Sequence, residues 1–400
     1  MLPRRALIVA GLATAVVALV VAAGATESRS SAVAAEPGGT AAPGGGAEAT
    51  QSTTTMAHPT PADPSSAAKL TVTRAAGQML ISRVSGLTAS ASLLGRIRAG
   101  RVGSVILYGE NISTTRQLAE LTEALQRAAR EGHNPPVFIG TDQEGGPVKR
   151  LTNAPPWLSA AQMGSTSHIK SVAGAEGRAA GRALLNLGVN LDFAPVADVP
   201  TSVNNFLGER AFSESTRVVE EGVIGFAKGL ADAHVAGSVK HFPGLGGAGP
   251  HNTDLEVVTI NLSRSQLRAA YAPYRAVAKL SPTIAPLVMV SNAIYPALGH
   301  SSLPADLSPT IVRNELASTG LGGRVTVTDD LQVPAVERYP DAAVKAVRAG
   351  IDLLMFAQEE AASERAFREI VAAVKTGALT KSEVISAAER VVALKNTLLK

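Results

Sequence analysis

Acidic and basic side chains recur at the ends of short apolar runs, where they can converge on one small molecule. Asp142 closes "PVFIGTD", Asp192 and Asp198 lie in and just after "VNLDFAPV", and Lys240 and His241 end "GSVKHF". Asn292 ends "APLVMVSN", and Asp329 and Asp330 end "GRVTVTDD". A carboxylate that attacks carbon, with a second group that moves a proton, is the equipment of glycosidic bond cleavage; the surrounding Asp, Lys, His and Arg suit polyol recognition. Other chemistries lack their signatures. The seven histidines have no HExxH or HxH spacing and there is no Asp-rich loop, so no metal site is expected. There is no GxSxG elbow, and the absence of cysteine removes thiolate ligands, disulfides and a cysteine nucleophile.

These side chains need a scaffold that gathers strand ends. Eight β-branched apolar runs follow Lys69: "QMLISRV", "VGSVILYG", "PVFIGTD", "VNLDFAPV", "GSVKHF", "APLVMVSN", "GRVTVTDD" and "IDLLMF". Nearly continuous apolar runs suit strands covered on both faces, and the amphipathic stretches between them read as helices. In "STTRQLAELTEALQRAAREG", Ser113 or Thr114 caps the start, Leu118, Leu121 and Leu125 share one face, and Gly132 ends it. No GxGxxG or P-loop follows the first run, so no nucleotide cofactor is expected and the fold predicted is a (β/α)8 barrel, an α/β architecture of the TIM type. That fold carries its chemistry at the C-terminal ends of its strands, where the polar residues fall.

Ahead of the barrel domain, assigned to 69–400, stand two segments of different texture. Residues 1–25 join a positive start, "MLPRR", to the apolar run "ALIVAGLATAVVALVVAAGA", with small residues at Ala23-Gly24-Ala25. This is an export signal; its apolar length, close to the roughly 20 residues that span a bilayer, makes an uncleaved membrane anchor the alternative. Residues 26–68 are an Ala, Gly, Pro, Ser and Thr linker that cannot offset its ordering entropy by burial. The expected location is secreted or extracytoplasmic. A net charge of +4 over 400 residues, with no dense basic run beyond the N-terminal arginines, gives no reason to expect a nucleic-acid partner. The expected partner is a carbohydrate substrate; the sequence leaves the oligomeric state open.

Five motifs, "TDQEGGPVKRL", "NLDFAPVADV", "GERAFSES", "KHFPG" and "VTVTDDL", resemble in order, across almost all of residues 70 to 395, glycoside hydrolase family 3. The likeness is to its single-barrel bacterial β-N-acetylglucosaminidase (β-hexosaminidase) branch. The resemblance implies removal of β-linked N-acetylglucosamine from cell-wall fragments or chitooligosaccharides, by a retaining mechanism without a metal or other cofactor. Carried over position by position, Asp329 matches the nucleophile and Asp142 a residue that grips sugar hydroxyls. Arg150, Arg210, Lys240 and His241 match groups that hold the ring and its substituents. Each has a plainer alternative, such as an Asp142–Arg150 salt bridge or a satisfied core position for His241. Asp330 reads as a helix cap, Asp192 and Asp198 as supporting or structural residues, and Trp157 as a sugar platform or a loop wedge.

Two departures separate the chain from the family pattern. Pro147 replaces an arginine in the "EGGRV" segment. After "KHFPG" the family continues with "HG" and then Asp-Ser-His, whose Asp-His pair acts as the acid/base; here Leu245 replaces the first histidine, and Asn252 and Asp254 fall opposite the pair. His251 and Asp254 are the local substitutes for the proton donor. The alternatives are a sugar-binding pseudoenzyme and a β-glycosidase with another sugar preference.

Overall fold

All eight apolar runs form strands of one closed barrel. The computed structural model describes residues 70–299 and 302–399, so the export segment and linker read over 1–25 and 26–68 lie outside the described residues. The strands are β1 (Leu80–Arg83), β2 (Ser104–Leu107), β3 (Phe138–Thr141), β6 (Leu191–Asp192), β7 (Ala236–Phe242), β8 (Leu287–Val290), β9 (Val325–Asp330) and β10 (Leu353–Phe356). Between β3 and β6 a small hairpin, β4 (Gln143–Gly145) and β5 (Val148–Lys149), stands apart from the barrel. The ring closes in the order β1-β10-β9-β8-β7-β6-β3-β2, every pair parallel.

Side-chain alternation explains why the runs are apolar on both faces. Ile81, Ile106, Phe138, Leu191, Leu287, Met289, Val327, Leu353 and Met355 fill the barrel interior. Their strand neighbours Leu80, Val105, Ile139, Val288, Val290 and Leu354 point outward into the layer beneath the helices. The interior is therefore a packed core with its functional opening at one end.

The helices obey their sequence signals. Thr115–Glu131 is capped by Thr114, whose hydroxyl accepts from the Gln117 amide at 3.1 Å, and it buries Leu118, Leu121 and Leu125. Gly132 follows it at a negative φ; glycine is needed there because a Cβ would lie 2.1 Å from the Arg98 carbonyl oxygen. The helix Lys381–Leu398 closes the N-terminal end of the barrel. Its Val391 joins the interior core, and its buried Lys395 donates to Gln78 Oε1 at 2.8 Å and to the Gly103 carbonyl at 2.6 Å. No helix among the described residues is long and apolar enough to cross a membrane.

Candidate active site

At the C-terminal end of the barrel a cavity is lined by Tyr108, Asp142, Arg150, Arg210, Lys240, His241, Asp254, Asp329 and Asp330, with apolar walls from Ile106, Phe206, Leu245, Met289 and Met355. These polar residues come from the ends of β7 and β9 and from the connections that follow β2, β3, β5, β6 and β7, as the barrel geometry requires. Two strand irregularities aim consecutive residues the same way. The β7–β8 register shifts between Val239 and Phe242, and both Lys240 and His241 reach the cavity; the β9–β10 register shifts between Leu353 and Met355, opposite Val327 and Asp330, and both Asp329 and Asp330 reach it.

The floor of the site is an ion network. Lys240 Nζ lies 2.8 Å from Asp142 Oδ1 and 2.6 Å from Glu144 Oε1. Arg210 holds Glu144 with two bonds of 2.8 Å, and Arg150 donates to Asp142 Oδ2 at 3.3 Å. Burial alone would raise the carboxyls of Asp142 and Glu144, but the charges of Lys240 and of Arg150 or Arg210 outweigh it. Asp142 is held below its ordinary range, and Glu144 is held at about 2. Burial works against the charge of Lys240 too, yet Asp142 and Glu144 raise its pKa, so the ammonium is retained. The fixed fork of Arg210 and the point charge of Lys240 thus present rigid donors.

His241 is fixed from behind. Its Nδ1 lies 2.7 Å from Asp198 Oδ2, while Asp198 Oδ1 accepts from the Leu245 amide at 2.7 Å. Its other ring nitrogen is 3.5 Å from Arg210. Asp198 is thereby a support for a cavity residue. Asp192 supports the hairpin, accepting from the Gln143 amide at 2.9 Å, and burial pushes its carboxyl up to about 8.

Asp329 is half-buried near the end of β9, and its partial removal from water pushes its carboxyl up to about 6. His241 and Lys240 oppose the rise, while Asp254 across the cavity adds to it. Asp330 is no helix cap: the next helix, Pro334–Glu337, is preceded by Val333. Its carboxylate instead ties two loops together, accepting from the amides of Gln332 and Ala357 and from the side chain of Gln358.

Among the sequence-derived candidates, Asp329, Asp142, Arg150, Arg210, Lys240, His241 and Asp254 meet in this cavity. His251 does not. It is absent from the lining and pairs with Glu256 at 3.0 Å, both side chains more than half exposed, because the loop turns between Pro250 and Asp254. Trp157 also lies outside the lining, 62% exposed and with the Lys149 ammonium 4.9 Å from its ring centre, so it neither floors the cavity nor wedges a loop into the core. Pro147 sits in the exposed β4–β5 turn.

Sequence reading missed Glu144 and Tyr108. Glu144 stands two residues beyond Asp142 and shares its ion network, whereas the Gln143 side chain turns away to bond Leu151 and Pro155. Period-2 alternation was the available signal. Tyr108 directly follows β2 and presents its ring to the Arg83 and Arg150 guanidinium groups, at 5.6 and 5.1 Å.

Comparison with known proteins supplies independent context. Residues 71–394 match the model of the glycosyl hydrolase family 3 N terminal domain. An uncharacterized secreted glycosyl hydrolase of Arthroderma benhamiae is 35% identical over 333 residues, covering 81% of this chain and 93% of that protein. Beta-hexosaminidase A of Pseudoalteromonas piscicida is 30% identical, covering 74% of this chain and 54% of that protein. Among solved structures, a glycoside hydrolase family 3 beta-N-acetylglucosaminidase from Paenibacillus sp. str. FPU-7 superposes with a TM-score of 0.76 at 30% identity, covering 82% of this chain and 63% of that one. The chain therefore spans less than two thirds of these last two proteins.

Proposed function

The chain belongs to glycosyl hydrolase family 3, and on that premise we propose that it is an exported retaining glycosidase removing β-linked N-acetylglucosamine from cell-wall (peptidoglycan) fragments or chitooligosaccharides. The observation that carries this reading is one half-buried carboxylate, Asp329, facing a cavity otherwise furnished with Asp142, Lys240, Arg210, Arg150 and His241. The sugar assignment is supported by the names of the hexosaminidase relatives, and export by the relative named as secreted. In this reading residues 69–400 are the catalytic domain, behind an export segment at 1–25 and a tether at 26–68.

The chemistry proceeds in two displacements. The Asp329 carboxylate attacks C1, forming a C1–O ester bond as the bond to the leaving oxygen breaks. Asp254 gives its proton to that oxygen, then takes one from the water that opens the ester. The Asp142–Lys240–Glu144–Arg210 network binds the ring hydroxyls with donors and acceptors already in place, so little reorganisation accompanies attack. Asp254 lines the cavity from an exposed loop position, and the proton it takes from water in the second step restores the acid for the next cycle.

Two results test the assignment of roles. Asp254→Asn lowers kcat on a natural disaccharide by about 10²–10⁴-fold and much less on an aryl glycoside whose leaving group needs no proton, whereas His251→Ala keeps near-normal rates on both. Equal losses on the two substrates, or a large loss for His251→Ala, would remove Asp254 from the proton-donor role. Second, Asp329 must be ionised to attack; with its carboxyl at about 6, turnover of the aryl substrate falls about tenfold per pH unit below pH 6 and is level just above it. A rate level down to pH 4 contradicts this.

One observation favours a second reading, a sugar-binding relative without turnover: a buried Leu245 stands where the family carries a histidine, and His251 lies away from the cavity. Binding of N-acetylglucosamine without hydrolysis of any aryl glycoside would decide for it.

A further inference from the structure

Behind Asp329, away from the cavity lining, the connection leaving β8 carries buried polar groups that bond to nothing. Asn292 and Asp306 are each 0% exposed, and neither the amide atoms of Asn292 nor the carboxyl oxygens of Asp306 have a hydrogen-bond partner among the protein atoms. Their position is fixed by backbone bonds. Val290 pairs with Thr328 across β8 and β9, which sets Ser291 beside Asp329; the Asp306 amide donates to the Ser291 carbonyl at 3.1 Å, and the Ala305 amide to the Ala293 carbonyl at 2.9 Å. Asp306 thus hangs from the end of β8, next to the end of β9.

An ionised carboxylate in such a place, without a partner, costs far more than a neutral one. Burial and then the charge of Asp329 drive the Asp306 carboxyl well above its ordinary range; the nearby amides of Asp306 and Leu307, which bond the Ser291 and Pro304 carbonyls, oppose this without cancelling it, and Asp330 adds a smaller push. Asp329 is differently placed, because burial and Asp254 oppose its charge while His241 and Lys240 favour it; Tyr108 and Tyr295 also lie within its field. Two carboxyls sharing one field divide the proton unequally, and it goes to the one without cations.

We propose that Asp306, as a neutral carboxylic acid seated with Asn292 at the end of β8, is a positioning residue that lets Asp329 carry the charge needed for attack. The inference rests on the nucleophile reading of Asp329. The neutral acid adds no second negative charge behind the nucleophile, and its O–H dipole, with the Asn292 amide, gives the ionised carboxylate polar surroundings on its protein side. A mere core filler would do neither.

The test pairs two substitutions with a spectroscopic measurement. Asp306→Asn preserves shape and neutrality, so the acid limb of the aryl-glycoside pH profile stays within about 0.3 pH unit and kcat within about threefold of wild type. Asp306→Ala removes the dipole, so the limb moves up by about one pH unit and kcat falls about tenfold with KM little changed. A downward shift of the limb in Asp306→Asn would mean that Asp306 had been ionised, and an unchanged profile in Asp306→Ala would mean that it only fills space; either overturns the proposal. An infrared difference spectrum, wild type minus Asp306→Asn at pH 8, needs neither turnover nor the alanine variant. A protonated-carboxyl band is expected, and its absence overturns the proposal even if the protein proves to be no hydrolase.

Discussion

Asp329→Asn is expected to reduce turnover of an aryl β-N-acetylglucosaminide by about 10⁴-fold or more, because without the carboxylate there is no glycosyl ester and the two-step route is lost. The loss is in kcat. The amide keeps the shape of the side chain, and Asp142, Lys240, Arg210 and Glu144 form their network without help from Asp329, so affinity for N-acetylglucosamine by calorimetry stays within a few-fold. The variant also removes the acid limb near pH 6 that Asp329 imposes. A loss of only tenfold would mean that another group attacks C1 or that water does so directly.

Glu144→Leu is expected to give the next largest effect, on stability as well as binding. Glu144 is nearly inaccessible and holds two cations, Arg210 through paired 2.8 Å bonds and Lys240 at 2.6 Å. Removing one side of a buried ion cluster leaves uncompensated charge, at a cost of about 3–5 kcal/mol by denaturant titration. KM rises as well, since Arg210 and Lys240 lose their fixed positions. The pH dependence has a definite sign. The Glu144 carboxyl is held at about 2 against an ordinary 4.5, so its contribution is fully present above about pH 4.5 and is lost as pH falls toward 2. A change below about 1 kcal/mol would place the cluster among ion pairs that contribute little.

The barrel was legible because its signal is repetitive. Eight strands of alternating inward and outward apolar residues, most of them near a capped helix or a glycine-ended one, leave few other closures, and every run quoted from the sequence became a strand. The β4–β5 hairpin was not foreseen, since three residues paired with two are too short to show a period. Polar residues at strand ends were also legible, but not which way they point. Lys240 and His241 are consecutive, so strict alternation would send one of them outward; the register shift in β7 is a three-dimensional event without a sequence mark.

The loop after β7 was the least legible part. His251 and Asp254 have equal chemical claims on paper, and only the path of a Gly- and Pro-rich segment sends one to the cavity and the other to Glu256. Asp306 lies in "LPADLSP", where an acid among turn residues looks like surface; its complete burial follows from the backbone bonds that tie it to the end of β8.

The most direct test is covalent trapping with an activated fluorosugar of N-acetylglucosamine, followed by mass mapping of the labelled peptide. A single sugar adduct on Asp329, absent from Asp329→Asn, is the predicted result. An adduct on another carboxylate, or continued hydrolysis with inverted anomeric configuration and no adduct, would contradict the assignment of Asp329 as the group that attacks C1.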